Sequence, residues 1–240
     1  MAAGRDRAEQ MSFQSTSLIL AGVISIADYV TEHFFPERIK NSKKLVSFSA
    51  GVAIAYIILS LLPEISSYAL IDGKKIFMYV LIGFIVLNLI EQYIYKHLYK
   101  SRMKPAYHKN FHVTYFFVYK VLIGVVLVNF ATRGLTSTLL FFIPFFLYIM
   151  VETLPQEFRF TNALSRIFYS TAVLLGSIIG LYFFEFADSV FGEMVSFISG
   201  TLLYIVIKES LPSDQSERPL YFALGAFAYS LIIFFSWGLL

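Results

Sequence analysis

Charged side chains stranded in long apolar runs are the residues here with the most pressing chemistry. Lys120 ends the stretch Tyr115-Phe116-Phe117-Val118-Tyr119-Lys120, and Asp28 lies in the first apolar run of the chain. An ionisable group inside a bilayer costs at least about 2.5–3.5 kcal/mol on insertion scales and normally faces an interior partner. Lys120 is eight residues into its run, which begins near 112, or about 12 Å deep at 1.5 Å per helical residue. Asp28 is seven residues from the end of its own run, at about the same depth. The expectation is a buried Lys120–Asp28 ion pair; the competing reading has Lys120 reaching the interface along its own stem.

Other polar residues suggest less. Glu64, Glu91, Glu152, Glu157 and Glu209 are candidate pathway carboxylates, although most fall where a helix end meets the interface. Of the four histidines, His33, His97, His108 and His112, the last two are four apart. That spacing suits a metal on one helical face, but no third donor lies nearby, so solvent or headgroup contact is favoured. The absence of cysteine excludes disulfides, iron–sulfur clusters, thiolate zinc and cysteine nucleophiles. No phosphate loop or Ser-His-Asp order appears, so an enzyme is not expected.

The elements that hold these groups are membrane helices. The chain has 240 residues, 58% hydrophobic and 15% charged, well outside the composition of a soluble domain. Apolar runs fall at about 17–35, 45–63, 77–97, 112–131, 136–152, 164–184, 190–208 and 219–239. Helices are the only spanning structure that satisfies the backbone within one segment. The expected fold is therefore an all-α polytopic membrane bundle of eight transmembrane helices: a short tail over 1–16, then one domain over 17–240. Thirteen Lys and Arg fall on the side of the odd-numbered loops and five on the other. Basic residues are retained in the cytoplasm, so both termini are expected outside a multi-pass protein of the cell membrane, with a basic cytoplasmic loop at about 98–111. Lys96 to Lys109 interleaves basic residues with Tyr99 and Tyr107, which suits anionic headgroups at about 1 kcal/mol per charge. The lipid bilayer is the expected partner, with a homodimer as a further option and nucleic acid excluded.

An internal similarity runs through the second and seventh runs. Ser49-Ala50-Gly51, Tyr56 and Pro63 match Ile198-Ser199-Gly200, Tyr204 and Pro212. Alternating direction makes these segments antiparallel, as in inverted-topology repeats of secondary transporters. The same residues carry a family likeness. Ser47 to Ala53 with Leu61-Leu62-Pro63-Glu64, Ser199-Gly200-Thr201-Leu202-Leu203-Tyr204 with Glu209-Ser210-Leu211-Pro212, and Leu224-Gly225-Ala226-Phe227 together resemble the ZIP family of divalent-metal transporters. The resemblance implies eight spans in inverted repeats, zinc or iron as cargo, and metal ligands on the fourth and fifth spans.

At those ligand positions the chain departs from the family. Tyr115, Phe116, Tyr119 and Lys120 occupy the fourth-span site. Around Ile143-Pro144, the fifth-span site falls on Phe141, Phe142, Phe145 and Phe146. A second register places Glu152-Thr153-Leu154-Pro155-Gln156-Glu157 on the fifth-span motif and retains two carboxylates. Phenylalanine supplies no donor, and phenols with an ordinary pKa of about 10 are poor zinc ligands at neutral pH. No cofactor is expected. Two functions follow: a ZIP-like protein in which ordinary zinc uptake is doubtful, still carrying zinc or another cargo by unconventional ligands, or a non-transporting relative acting as scaffold or regulator.

Overall fold

The computed structural model describes residues 2–34, 43–100, 105–151, 162–183, 190–210 and 219–238, and all secondary structure among them is helical. The helices are α1 (Ala2–Phe34), α2 (Lys43–Tyr56), a π-turn (Ile57–Leu61), α3 (Leu62–Asp72), α4 (Ile76–Lys100) and α5 (Pro105–Thr132). There follow α6 (Leu135–Val151), α7 (Ala163–Ser170), α8 (Ala172–Tyr182), α9 (Phe191–Ser210) and α10 (Pro219–Ser236). Six stretches are long and apolar enough to cross a membrane: Phe13–Thr31, Lys43–Ile71, Ile76–Tyr93, Val113–Thr132, Phe191–Lys208 and Pro219–Ser236.

Several expected boundaries move. The polar tail is helical from Ala2 and continues into α1. The second helix does not stop at Pro63. Proline has no N–H for the preceding turn and its ring crowds the carbonyl four residues back. The chain absorbs this by widening one turn into Ile57–Leu61, where the Leu62 N–H reaches the Ile57 carbonyl, and then runs on as α3. The basic loop narrows, because α4 continues through Lys100 and α5 begins at Pro105. The fifth expected span is α6, only 17 residues long and short of the roughly 20 that a bilayer core takes. The sixth is broken by 47° between α7 and α8. At the break Thr171 donates its hydroxyl to the Phe168 carbonyl at 3.0 Å, the local competition with the helical ladder that bends helices.

Three glycine crossings draw the helices together. A Cβ on Gly51 would lie 2.1 Å from the Phe222 carbonyl oxygen of α10, and one on Gly225 would lie 2.2 Å from that of Phe48 in α2. Gly83 and Gly200 make the same arrangement between α4 and α9, as do Gly124 and Gly176 between α5 and α8. Without a hydrophobic drive between helices in lipid, such close backbone approach is a main source of association. Hydroxyls reinforce two crossings: Ser177 donates to the Gly124 carbonyl at 3.1 Å and Thr201 to that of Gly83 at 3.4 Å.

End-to-end contacts fix direction. Lys44 lies 5.4 Å from the Tyr221 ring centroid, so α2 and α10 begin together. Lys208 pairs with Glu91, so α4 and α9 reach the same end. Tyr68 meets Phe191 at 5.9 Å, bringing the close of α3 to the start of α9. Thr31 of α1 donates to the Met150 sulfur of α6 at 3.1 Å. Followed through these contacts, α1 begins and α10 ends at the same end of the bundle, the one that carries Arg133.

Substituting leucine at Gly200 is expected to cost about 1–3 kcal/mol by overpacking, whereas leucine at Gly22, with no atom within 4 Å of its Cβ position, should be close to neutral. Thermal unfolding of both variants in the same detergent checks the contrast.

Candidate functional site

Lys120 and Asp28 meet inside the bundle. Lys120 Nζ lies 3.1 Å from each carboxylate oxygen of Asp28, and the two side chains are 2% and 5% exposed. The forked contact satisfies both carboxylate oxygens with one ammonium, the condition under which a buried pair tolerates loss of hydration. Tyr169 covers it: the ammonium sits 4.1 Å from that ring's centroid, within cation–π range. Tyr169 is placed there by α7, just before the break at Thr171. The site thus joins α1, α5 and α7.

The other aromatic residues singled out on α5 and α6 build walls of rings. Tyr115 and Tyr119 stack at 6.5 Å along α5, and Tyr119 meets the edge of Tyr148 at 6.3 Å. Phe116 is buried beside Tyr115, and the hydroxyls of Tyr115 and Thr201 are 3.4 Å apart. Phe141 and Phe145 are buried and 4.4 Å apart, each packing an edge of Tyr56 at 6.4 Å. Tyr229 closes the group, 6.2 Å from Tyr56, and donates its hydroxyl to the Leu140 carbonyl at 2.6 Å. Phe142 and Phe146 are only half-buried and stack on each other at 5.3 Å along the next face of α6. Of the eight, Tyr115, Phe142 and Phe146 are the half-buried ones, and all three pack against the core.

The carboxylates scatter. Glu64 is bound by Arg133 and Glu91 by Lys208, with Tyr204 donating to Glu91 at 3.3 Å. Glu91 thus ties α4, nine residues before its last residue Lys100, to the end of α9. Glu152 and Glu157 lie outside the described residues, as do the side chains of Glu209, His33, His97, His108 and His112. Among the described residues no three of His, Cys, Asp and Glu converge as a metal-binding group.

One cluster was not anticipated. Arg133, in the turn after α5, hydrogen-bonds Glu64 and the Tyr68 hydroxyl of α3. Its guanidinium carbon stands 4.7 Å from the Phe191 ring centroid and 5.5 Å from that of Phe130. Burial opposes its charge, but the hydrogen bond and charge of Glu64 outweigh that and hold its proton more tightly than usual. The signal lay in the spacing: Glu64 and Tyr68 are four residues apart, hence on one helical face, opposite an arginine that alternation puts at the same end.

Removing one partner of the central pair, by Lys120→Met or Asp28→Asn, is expected to lower unfolding free energy by about 3–5 kcal/mol, while replacing both apolarly should cost far less than the two single losses summed. A double-mutant cycle by thermal or chemical unfolding in micelles measures this. Arg133→Lys keeps the charge but loses the planar stack and the fork, and should also destabilise the fold.

No protein-family model matches the chain, and no curated protein matches it.

Proposed function

We propose that this chain is an eight-span membrane protein of ZIP-like, inverted-repeat architecture whose centre is sealed by its own side chains, and that it acts as a scaffold or regulator within the bilayer, without ordinary zinc uptake. The single observation that carries the reading is the Lys120–Asp28 pair. A fixed ammonium on α5 repels a divalent ion and engages both oxygens of the nearby carboxylate, so the site offers neither the donors nor the charge that such an ion requires. The rings of Tyr56, Phe141, Phe145 and Tyr229 fill the neighbouring interior, and the only oxygens these four side chains carry are two phenols, poor ligands for a divalent ion at neutral pH.

The repeat has support in packing. Gly51 and Gly200, the landmarks of the internal similarity, occupy equivalent crossings, the first against Gly225 and the second against Gly83. Counting α6 and the bent α7–α8 pair as spans brings the six long helices to eight. In that count the basic residues gather at the Lys208 end, so this end is assigned to the cytoplasm and both termini to the outside.

The test is uptake of zinc, iron, manganese and cadmium into proteoliposomes holding the purified chain, with tightly bound metal measured on the same sample. No saturable flux and substoichiometric metal are expected from folded protein. Saturable flux of any of the four would overturn the sealed-centre reading.

A further inference from the structure

α3 lies against the start of α9 with little of itself buried. Among the described side chains of α3, Ile65 alone is buried and three more are half-buried. Ser66 and Ser67 donate their hydroxyls to the Leu62 and Glu64 carbonyls at 2.8 and 2.6 Å, so those protons stay within the helix. The stretch Lys43–Ile71 has 29 residues, about 43 Å of helix at 1.5 Å per residue, against a hydrocarbon core of about 30 Å. With Lys43 and Lys44 at one edge, the last turns of this stretch, which are α3, stand at the level of headgroups and water.

Both ends of α3 are irregular. Before it comes the π-turn Ile57–Leu61, a form that occurs within α-helices mostly at functional sites and hinges. After it Gly73 has φ +81°, with no atom within 4 Å of its Cβ position, a left-handed backbone that glycine adopts freely. Between these ends α3 is fastened by few contacts. Tyr68 packs on Phe191 and lies 3.0 Å from the Cβ position of Gly192, and Arg133 hydrogen-bonds both Glu64 and the Tyr68 hydroxyl. The Arg133 and Glu64 side chains are 35% and 24% exposed, so water reaches this pair. A segment with few buried apolar contacts and solvent-exposed bonds opens locally at low free energy.

We infer that α3 is a hinged lid on the Arg133 end of the bundle. It pivots between Ile57–Leu61 and Gly73, Arg133 latches it shut through Glu64 and Tyr68, and its opening bares the first turns of α9 around Phe191. Thirteen residues separate Arg133 from Lys120, about 20 Å along α5, so the lid opens with the central pair intact. The inference goes beyond the sealed-centre reading and does not depend on it.

The chain has no cysteine, which allows single thiol reporters. Ser196, one turn after Gly192, is fully buried beneath the lid, and Ser25, one turn from Asp28, is buried near the central pair. The full chain in nanodiscs is treated with a water-soluble, membrane-impermeant maleimide, and labelling is followed by mass spectrometry. Ser196→Cys should react slowly on its own. Combined with Glu64→Gln it should react about fivefold faster, the factor equivalent to ~1 kcal/mol for a partly exposed ion pair. Arg133→Gln should accelerate it further, because the bond to Tyr68 is lost as well, and Arg133→Lys should fall between Arg133→Gln and the unchanged latch. Ser25→Cys should keep the same low rate in every background, which separates lid opening from general loosening. Should Ser196→Cys fail to fold, Val195→Cys, buried one turn after Phe191, replaces it. Labelling of the α9 reporter that neither Glu64→Gln nor Arg133→Gln accelerates, or equal acceleration at Ser25→Cys, would overturn the inference.

Discussion

A lone ammonium within a bundle that has little else to solvate it sets the terms for the surrounding structure. Asp28 offers Lys120 both oxygens and Tyr169 offers it a ring face. Each demand fixes an element. α1 must present Asp28 at the level of Lys120, and the break at Thr171 must turn α7 so that Tyr169 lies over the ammonium. The close α5–α8 crossing at Gly124 and Gly176 then holds that half of the bundle at the separation the pair requires. A polar contact and a steric one therefore enforce the same geometry.

The helices divide by how they are joined. The ion pair and its covering ring come from α1, α5 and α7, with α8 packed against α1 and α5, while the other two glycine crossings join α2 to α10 and α4 to α9 and α6 packs on α1, α2 and α5. Other contacts differ in kind: the Tyr229 bond to the Leu140 carbonyl, the rings of Tyr56 against Phe141 and Phe145, and the Arg133 cluster. At the glycine crossings backbones touch; the ion pair and the contacts just named are made through side chains. Those contacts therefore depend on the identity of a few rings and one guanidinium.

How legible this was depended on the kind of signal. Apolar runs located the long helices because lipid imposes length and composition together. The depth of Lys120 and Asp28 could be counted from the same runs, which is why a contact 92 residues apart in sequence was open to arithmetic. Helix ends were harder. Pro63 resembled a terminus, and only the packing of the neighbouring turns lets the helix pass through it. Thr171 carried no apolar signal for a bend, since its effect comes from a hydroxyl competing for a carbonyl. Arg133 was read only as a topological charge, because its role depends on Phe130, Phe191 and Tyr68 converging from three elements. The glycines were visible as repeat landmarks, but which glycine met which was a matter of tertiary structure.

The widened turn at Ile57–Leu61 has an angular consequence. One extra residue in a helical turn advances every later side chain by about 100° around the axis. Glu64 and Tyr68 both come after it, so their bearing toward Arg133 is a phase that the insertion sets. Had the helix stayed in register, the same carboxylate and phenol would point a quarter-turn or more away, and the guanidinium at the far corner would have only phenyl rings for company.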